Sequence, residues 1–435
     1  MNWETEYQQK LVSLKEAASI IKSGDVVGLP PGPSAPVDLM NAIGSRYEEL
    51  DNVKIMSGIL MVPQEHLAAK CKGHINHVSV FVGPLERIFM SEGNIEVIPY
   101  QFSQTEALFS RDDNSANITL LECSPPDERG YMSFGPMGTF CNDFCAKRSD
   151  TLIVQVNDKV PFVYGLNAHI HVSQVDYITE CSRNIAELPT APPGETEQKI
   201  ASYIVNEIPD GATLQLGLGD VANAIGYMLD DKKDLGIHTE MLTESMVELA
   251  EKGVINGSKK TFHEGKILCV FGLGTKKTYD YMHRNLMVET APVSYVNKIA
   301  NIAKNDNMIS INNTLAVDLT GQVCSETIGF DQYSGTGGQL DFVRGAKNSK
   351  GGKSFIALNS TAKTPEGTVS RISCVLPPGT AVTTPRTDVQ YVVTEYGIAD
   401  LWMKSMPNRV RSLIGIAHPD FRDNLEREAR EVGII

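Results

Sequence analysis

Short apolar runs that close on glycine, each followed by a stretch with helical spacing, recur along this 435-residue chain. In "ATLQLGLG" a brief apolar run ends in glycines, and "DVANAIGYML" behind it sets apolar residues three and four apart. The first predicts a buried strand and the second a helix. "KILCVFGLG", "MISINNTLAVDL" and "KSFIALNS" predict further buried strands, and "KIASYIVNEI" an amphipathic helix. Strands alternating with helices predict α/β domains on open, largely parallel sheets. Such sheets bind ligands outside the carboxyl ends of their strands, where these glycines fall.

The pattern also repeats at long range. "IIKSGDVVGLPPGPSAPVDLMNAIG" is matched by "IPDGATLQLGLGDVANAIG": Gly24 falls on Gly211, an offset of 187, and Asn41–Gly44 on Asn223–Gly226, an offset of 182. The first copy thus carries five extra residues in its turn. "VFVGPLERIFM" from Val80 resembles "VFGLGTKKTYDYM" from Val270. Asp127 and Gly130 fall on Asp318 and Gly321, and Asn142-Asp143-Phe144 on Leu340-Asp341-Phe342. A period near 190 residues is too long for a solenoid. It predicts two similar domains from an internal duplication, residues 1–187 and 198–435. The Pro-rich stretch "ELPTAPPGETEQ" is the joint.

Length and charge narrow the function. A chain this long exceeds one core, in keeping with two domains. Its net charge of −14 argues against a broad nucleic-acid surface but not against a small basic pocket. No run of about 18 apolar residues predicts a membrane span. The opening "MNWETEYQQKL" lacks a signal pattern, so a reducing cytoplasm is expected. The eight cysteines are scattered, and the one close pair, Cys141 and Cys145, reads as helical core thiols. "HIHV" puts His169 and His171 on one strand face without a third ligand, so no metal site is expected.

The candidate chemistry lies in the second half. "QLGLG" holds Gly217-x-Gly219 without the third glycine of a dinucleotide fingerprint. It reads either as a tight strand-to-helix turn or as backbone N–H groups facing phosphate or an oxyanion. "YSGTGGQLDFVRGA" crowds Gly335, Gly337 and Gly338, which lets the backbone pass close to a ligand. "NSTAK" places Lys363 in a predicted loop after a strand. In "LGIHTEMLTESM" a carboxylate, Glu240, stands at a strand end. At offset 182 it falls on Gly58, so only one copy is charged there. It is either a solvated glutamate or the centre of a site.

These segments resemble the acetyl-CoA hydrolase/transferase family, in particular its 4-hydroxybutyrate and butyryl-CoA:acetate CoA-transferase branch. The resemblance runs through nearly the whole chain. It is densest at "LQLGLG", "LGIHTEM", "INNTLAVDLTGQVCSE", "YSGTGGQLDFVRGA", "STAK", "AVTTPRTDVQYVVTEYGIADL" and "IAHPDFRDNL". It implies that Glu240, in the family's H-[ST]-E-M motif, becomes a glutamyl-CoA thioester. It implies coenzyme A contacts at Gln215, Leu216, Gly217, Leu218, Gly219, Leu315, Gly338 and Lys363. The chain departs from the branch at Thr243-Glu244-Ser245, at "GLGDVANAI", at "GLPPGPSAP" and at "DLWMKSM", around the acyl side of the implied site.

The resemblance thus implies transfer of CoA between a short-chain acyl-CoA and a carboxylate such as acetate. No tightly bound cofactor is needed, since coenzyme A arrives with the substrate. No nucleic-acid or membrane partner is expected, and a homo-oligomer is. An ordinary carboxylate is ionised at neutral pH, so attack by Glu240 would need neither a raised pKa nor a separate base. A hydrolase on the same fold, a nicotinamide oxidoreductase and a non-catalytic CoA-binding protein are the competing readings.

Overall fold

A computed structural model describes residues 2–138 and 140–435. The chain divides into two compact units. The first comprises residues 1–189, 241–244 and 268–296, and the second residues 190–240, 245–267 and 297–435.

In the first unit, β1 (Val26–Gly28), β2 (Val53–Ser57), β3 (Ile75–Ser79), β4 (Ile95–Val97), β5 (Ile118–Cys123), β6 (Thr151–Asn157) and β7 (Tyr177–Cys181) form one parallel sheet. Its order is β4-β3-β2-β1-β5-β6-β7. Helix α1 (Val37–Gly44) follows β1 and buries Leu39, Met40 and Ile43 against Val27, Ile55 and Leu120 of the strands. β5 is buried at every position, hence on both faces, as parallel sheets require, Thr119 and Glu122 included.

In the second unit, β8 (Thr213–Leu216), β9 (Gly236–Leu242), β10 (Met308–Asn313), β11 (Lys353–Ala357) and β12 (Tyr391–Thr394) run parallel in the order β9-β8-β10-β11-β12. β13 (Gly397–Asp400) closes the edge antiparallel. Helix α2 (Asp220–Tyr227) follows β8, and α3 (Gln339–Asn348) lies between β10 and β11. The order repeats β2-β1-β5-β6-β7 of the first unit, strand for strand.

The register carries the repeat to single residues. Val26 pairs with Lys54, and Thr213 with Gly236, so the β1-to-β8 offset is 187 and the β2-to-β9 offset 182. Four residues past each pair stand Gly58 and Glu240, as the sequence alignment has it. Residues 29–36 join β1 to α1, whereas residues 217–219 join β8 to α2, which locates the five extra residues. The Asp-Gly turns match as well. Asp127 takes N–H bonds from Arg129 and Tyr131, and Asp318 from Thr320 and Gln322, all at 2.9 Å. Gly130 and Gly321 take φ of +84° and +92° in these turns.

Three local expectations change. "MISINNTLAVDL" is two strands, because the chain breaks at Thr314, whose hydroxyl donates to the Cys324 carbonyl at 2.5 Å. Lys363 is on a strand, Thr361–Thr364, hairpin-paired with Gly367–Ser370. Cys141 precedes its helix, Asn142–Arg148, although both thiols are buried, 3.4 Å apart.

The two Asp turns differ in burial. Asp318 is 1 % exposed, whereas Asp127 is half-buried. Removing an acceptor strands buried donors, at about 1–3 kcal/mol. Asp318→Ala is therefore expected to lower the urea midpoint more than Asp127→Ala, and equal shifts would contradict this account.

Candidate functional site

The site grows from the carboxyl ends of the central strands of the second unit. β8 stops at Leu216, and Glu240 is the fifth residue of the longer β9 beside it. It thus lies within a strand, past the end of its neighbour. Strand alternation puts His238 on the same face. His238 is fully buried, stacks on Phe262 and meets the edge of Phe342. Its Nδ1 accepts a 2.8 Å hydrogen bond from the Asn305 amide, which fixes the ring.

Glu240 is half-buried. Its Oε2 accepts from the Asn297 amide at 2.9 Å and its carboxylate from the Gly338 N–H. Asn297 is fully buried and turns its Nδ2 to Glu240, while its Oδ1 meets no donor among the described residues. Gly338 caps α3. A Cβ at Gly338 would stand 2.1 Å from the Glu240 Oε2 and 2.2 Å from the Asn297 Nδ2, so the position admits only glycine. The loop before it is held by Glu326, which is 5 % exposed and accepts from Thr336 and Thr383 at 3.0 and 2.9 Å.

Burial pushes the Glu240 carboxyl up to about 7. The Asn297 amide and the Gly338 N–H pull it down, and the Asp341 carboxylate, in the first turn of α3, pushes it further up. This corrects the expectation of an ordinary, fully ionised carboxylate. The reason is a water-poor recess with two donors and, among the described residues, no cation bonded to the carboxylate.

The other sequence candidates surround the same strand ends. Gln215 is buried, and its amide exchanges hydrogen bonds with that of Asn312 at 3.1 and 3.2 Å. Leu216 is buried, and the Gly217 N–H donates to the Ile311 carbonyl at 2.8 Å. Leu218 is exposed, and its carbonyl accepts from Asn313 at 2.7 Å. Gly219, at φ +123°, caps α2, and a Cβ there would stand 2.0 Å from the Asn313 amide. Leu315 follows β10 and is half-buried. Lys363 follows β11 on its exposed hairpin.

Sequence reasoning missed Asn297 and the charge of Asp341 on Glu240. Asn297 sits in "SYVNKIAN", where nothing marks one amide above the next. Asp341 was visible as an acid just after the glycine-rich run.

Comparison with known proteins bears on what this arrangement does. The acetyl-CoA hydrolase/transferase N-terminal domain matches residues 1–188, and the C-terminal domain of the same family residues 274–429. A 4-hydroxybutyrate coenzyme A transferase of Clostridium kluyveri is 43% identical over 99% of this chain and 100% of its own. This chain belongs to the acetyl-CoA hydrolase/transferase family. A succinyl-CoA:cyclohexane-1-carboxylate CoA transferase of Geobacter metallireducens is 42% identical over 100% of this chain and 98% of its own. The crystal structure of RipA from Yersinia pestis superposes with a TM-score of 0.94 at 35% identity, covering 100% of both chains. Its close relatives are acyl-CoA:carboxylate CoA-transferases, and the chain is an enzyme of that class.

The raised Glu240 carboxyl sets two pH dependences. If its ionised form attacks, kcat/KM for the acyl-CoA should rise with pH through an apparent pKa of about 7. Asp341→Asn should move that inflection down, and an unmoved profile would contradict the role given to Asp341. Stability runs the other way. The folded state holds a proton that the unfolded chain loses above 4.5, so stability falls as pH rises from 4.5 through about 7. Glu240→Gln should therefore stabilise the chain above pH 7, by at most about 3 kcal/mol, and not at pH 4. Denaturant titrations at the two pH values check it.

Proposed function

We propose that this enzyme moves CoA between a short-chain acyl-CoA, of the 4-hydroxybutyryl or butyryl kind, and a carboxylate such as acetate, by way of a thioester on Glu240. The observation that carries the reading is the Glu240 carboxylate itself. It is desolvated enough to be a strong nucleophile, still reachable, and gripped by two N–H donors, from Asn297 and Gly338. The four-carbon acyl group and acetate come from the resemblance to the 4-hydroxybutyrate and butyryl-CoA branch.

The ionised carboxylate attacks the thioester carbonyl, and the C–S bond breaks to release CoA thiolate. This leaves an acyl-glutamyl anhydride. The thiolate then attacks the glutamyl carbonyl, the bond from the glutamyl carbon to the bridging oxygen breaks, and the donor acyl group leaves with that oxygen as a free carboxylate. Glu240 now carries CoA as a thioester. The acceptor carboxylate repeats the two steps in reverse. No proton is gained or lost over the cycle, so no separate acid or base is required.

Each attack on the glutamyl carbon places negative charge on a Glu240 oxygen. The Asn297 amide already donates to Oε2 and the Gly338 N–H to the same carboxylate, and both are suitable donors to that oxyanion. A lost donor of this kind costs about 3 kcal/mol of barrier, or roughly 10²-fold in kcat. Asn297→Ala should therefore slow turnover by about that factor with little change in KM.

The covalent step is tested by incubation with acyl-CoA and no acceptor, followed by borohydride. Reduction to an alcohol, mapped by peptide mass to Glu240, is the expected result. Initial rates against the two substrates should give parallel double-reciprocal plots. Thiol release at one rate with or without acetate would instead mark a hydrolase, and full activity in Glu240→Ala would end the mechanism.

A further inference from the structure

Arg371 stands out among the cations of the second unit. The other arginines of that unit that are buried or half-buried are satisfied. Arg409 donates to the Thr320, Leu401 and Arg386 carbonyls at 2.7–2.8 Å, Arg344 pairs with Asp388 at 3.0 Å, and Arg422 donates to the Ala417 carbonyl at 2.9 Å. Arg371 is also half-buried, yet among the described residues its guanidinium makes no hydrogen bond and no ion pair. The acid that acts on it, Glu395, is engaged elsewhere: its two oxygens accept from the Ser360 N–H and hydroxyl at 2.9 and 2.5 Å.

A guanidinium does not discharge at any physiological pH, so partial burial without a partner is unfavourable. Burial pulls its pKa below the ordinary value, and only the neighbouring Tyr333 and Glu395 act against that. Five donors in a planar fork fit a phosphate in particular.

The backbone of Arg371 shows where that fork stands. Its N–H donates to the Ser360 carbonyl at 2.9 Å, and its carbonyl accepts from Val317 at 3.0 Å. It therefore links the segment that begins at Leu315 to the base of the hairpin that carries Lys363, while Tyr333 opens the glycine-rich run that ends at Gly338. Leu315, Gly338 and Lys363 are three of the coenzyme A positions implied by the family resemblance, and Arg371 is not one of them.

We propose that Arg371 is a phosphate-binding residue for the CoA-bearing substrate and sets the preference for the full coenzyme over phosphate-free thiols. The inference rests on the proposed CoA transfer for the identity of the ligand. It makes the CoA phosphate the missing partner of a charge that the fold leaves unpaired.

Calorimetric titration of the full chain with CoA and with pantetheine, which has no phosphate, tests it without any turnover. Arg371→Gln should weaken CoA binding roughly 10- to 100-fold, and Arg371→Lys by less, since a point charge survives but the fork does not. Pantetheine binding should move by less than twofold. Loss of both ligands alike would show a structural role for Arg371 and overturn the proposal, and so would unchanged CoA affinity in Arg371→Gln. If the unmodified chain binds CoA in this Arg371-dependent way yet transfers none, the proposed function fails and this inference stands. A chain that binds no CoA overturns both.

Discussion

The arrangement rests on one carboxylate drawn out of water. Glu240 is enclosed far enough for its pKa to reach about 7, and two N–H donors keep that burial tolerable. Much else follows from this constraint. Position 338 must lack a Cβ, because the Glu240 oxygen occupies the space a methyl would take. The preceding loop must hold its course, which the buried Glu326 enforces through two threonine hydroxyls. Glu122 of the first unit makes the contrast. It too is pushed up to about 7, but it accepts from Gln155, Asn157 and Arg183 and is 1 % exposed. Such a carboxylate is structural, since three donors converge on its Oε1, Arg183 also reaches its Oε2 at 3.2 Å, and it is buried from solvent.

The duplication explains why there is one such centre. Both units set a parallel strand order and a helix after the first strand of each repeat, with β2 and β9 in the same register. At the position matching Glu240, the first copy has Gly58. A Cβ there would approach the Phe81 N and O to 2.8 and 2.9 Å. Backbone fills the space where a side chain would have to go. The second copy leaves that space open and shortens the turn behind β8 to residues 217–219, which sets the glycines close beside the strand end.

The duplicated α/β plan was legible because it is written in local signals. Apolar runs, glycine turns and helical spacing each depend on a few neighbouring residues, and the repeated Asp-x-x-Gly turn makes the same hydrogen bonds in both copies. Glu240 was legible through its motif and the asymmetry with Gly58. Its environment was not. Asn297 comes from a segment 57 residues further on, and the raised pKa is a property of enclosure, which has no linear pattern. Arg371 was invisible for the same reason, because an arginine without a partner reads like any other until the partners of its neighbours are counted. The break at Thr314 was hidden by a run of apolar letters that reads as one strand, although a side-chain hydroxyl ends it.

For the mechanism proposed above, a carboxylate with a pKa near neutrality looks at first like a handicap as nucleophile, since at pH 7 about half of it is protonated. The magnitudes decide otherwise. Raising the carboxyl from 4.5 to about 7 forfeits roughly a factor of two in the ionised fraction. Nucleophilicity grows with basicity, and a slope of about 0.4–0.5, as thiols follow, returns more than tenfold over the same interval. Desolvation would add to this, because an oxygen attacking from the recess would shed less water on its way to a thioester carbon. The recess therefore trades a small loss in population for a larger gain in reactivity. In the proposed mechanism the same two donors, Asn297 and Gly338, would remain in place for the oxyanion that forms next.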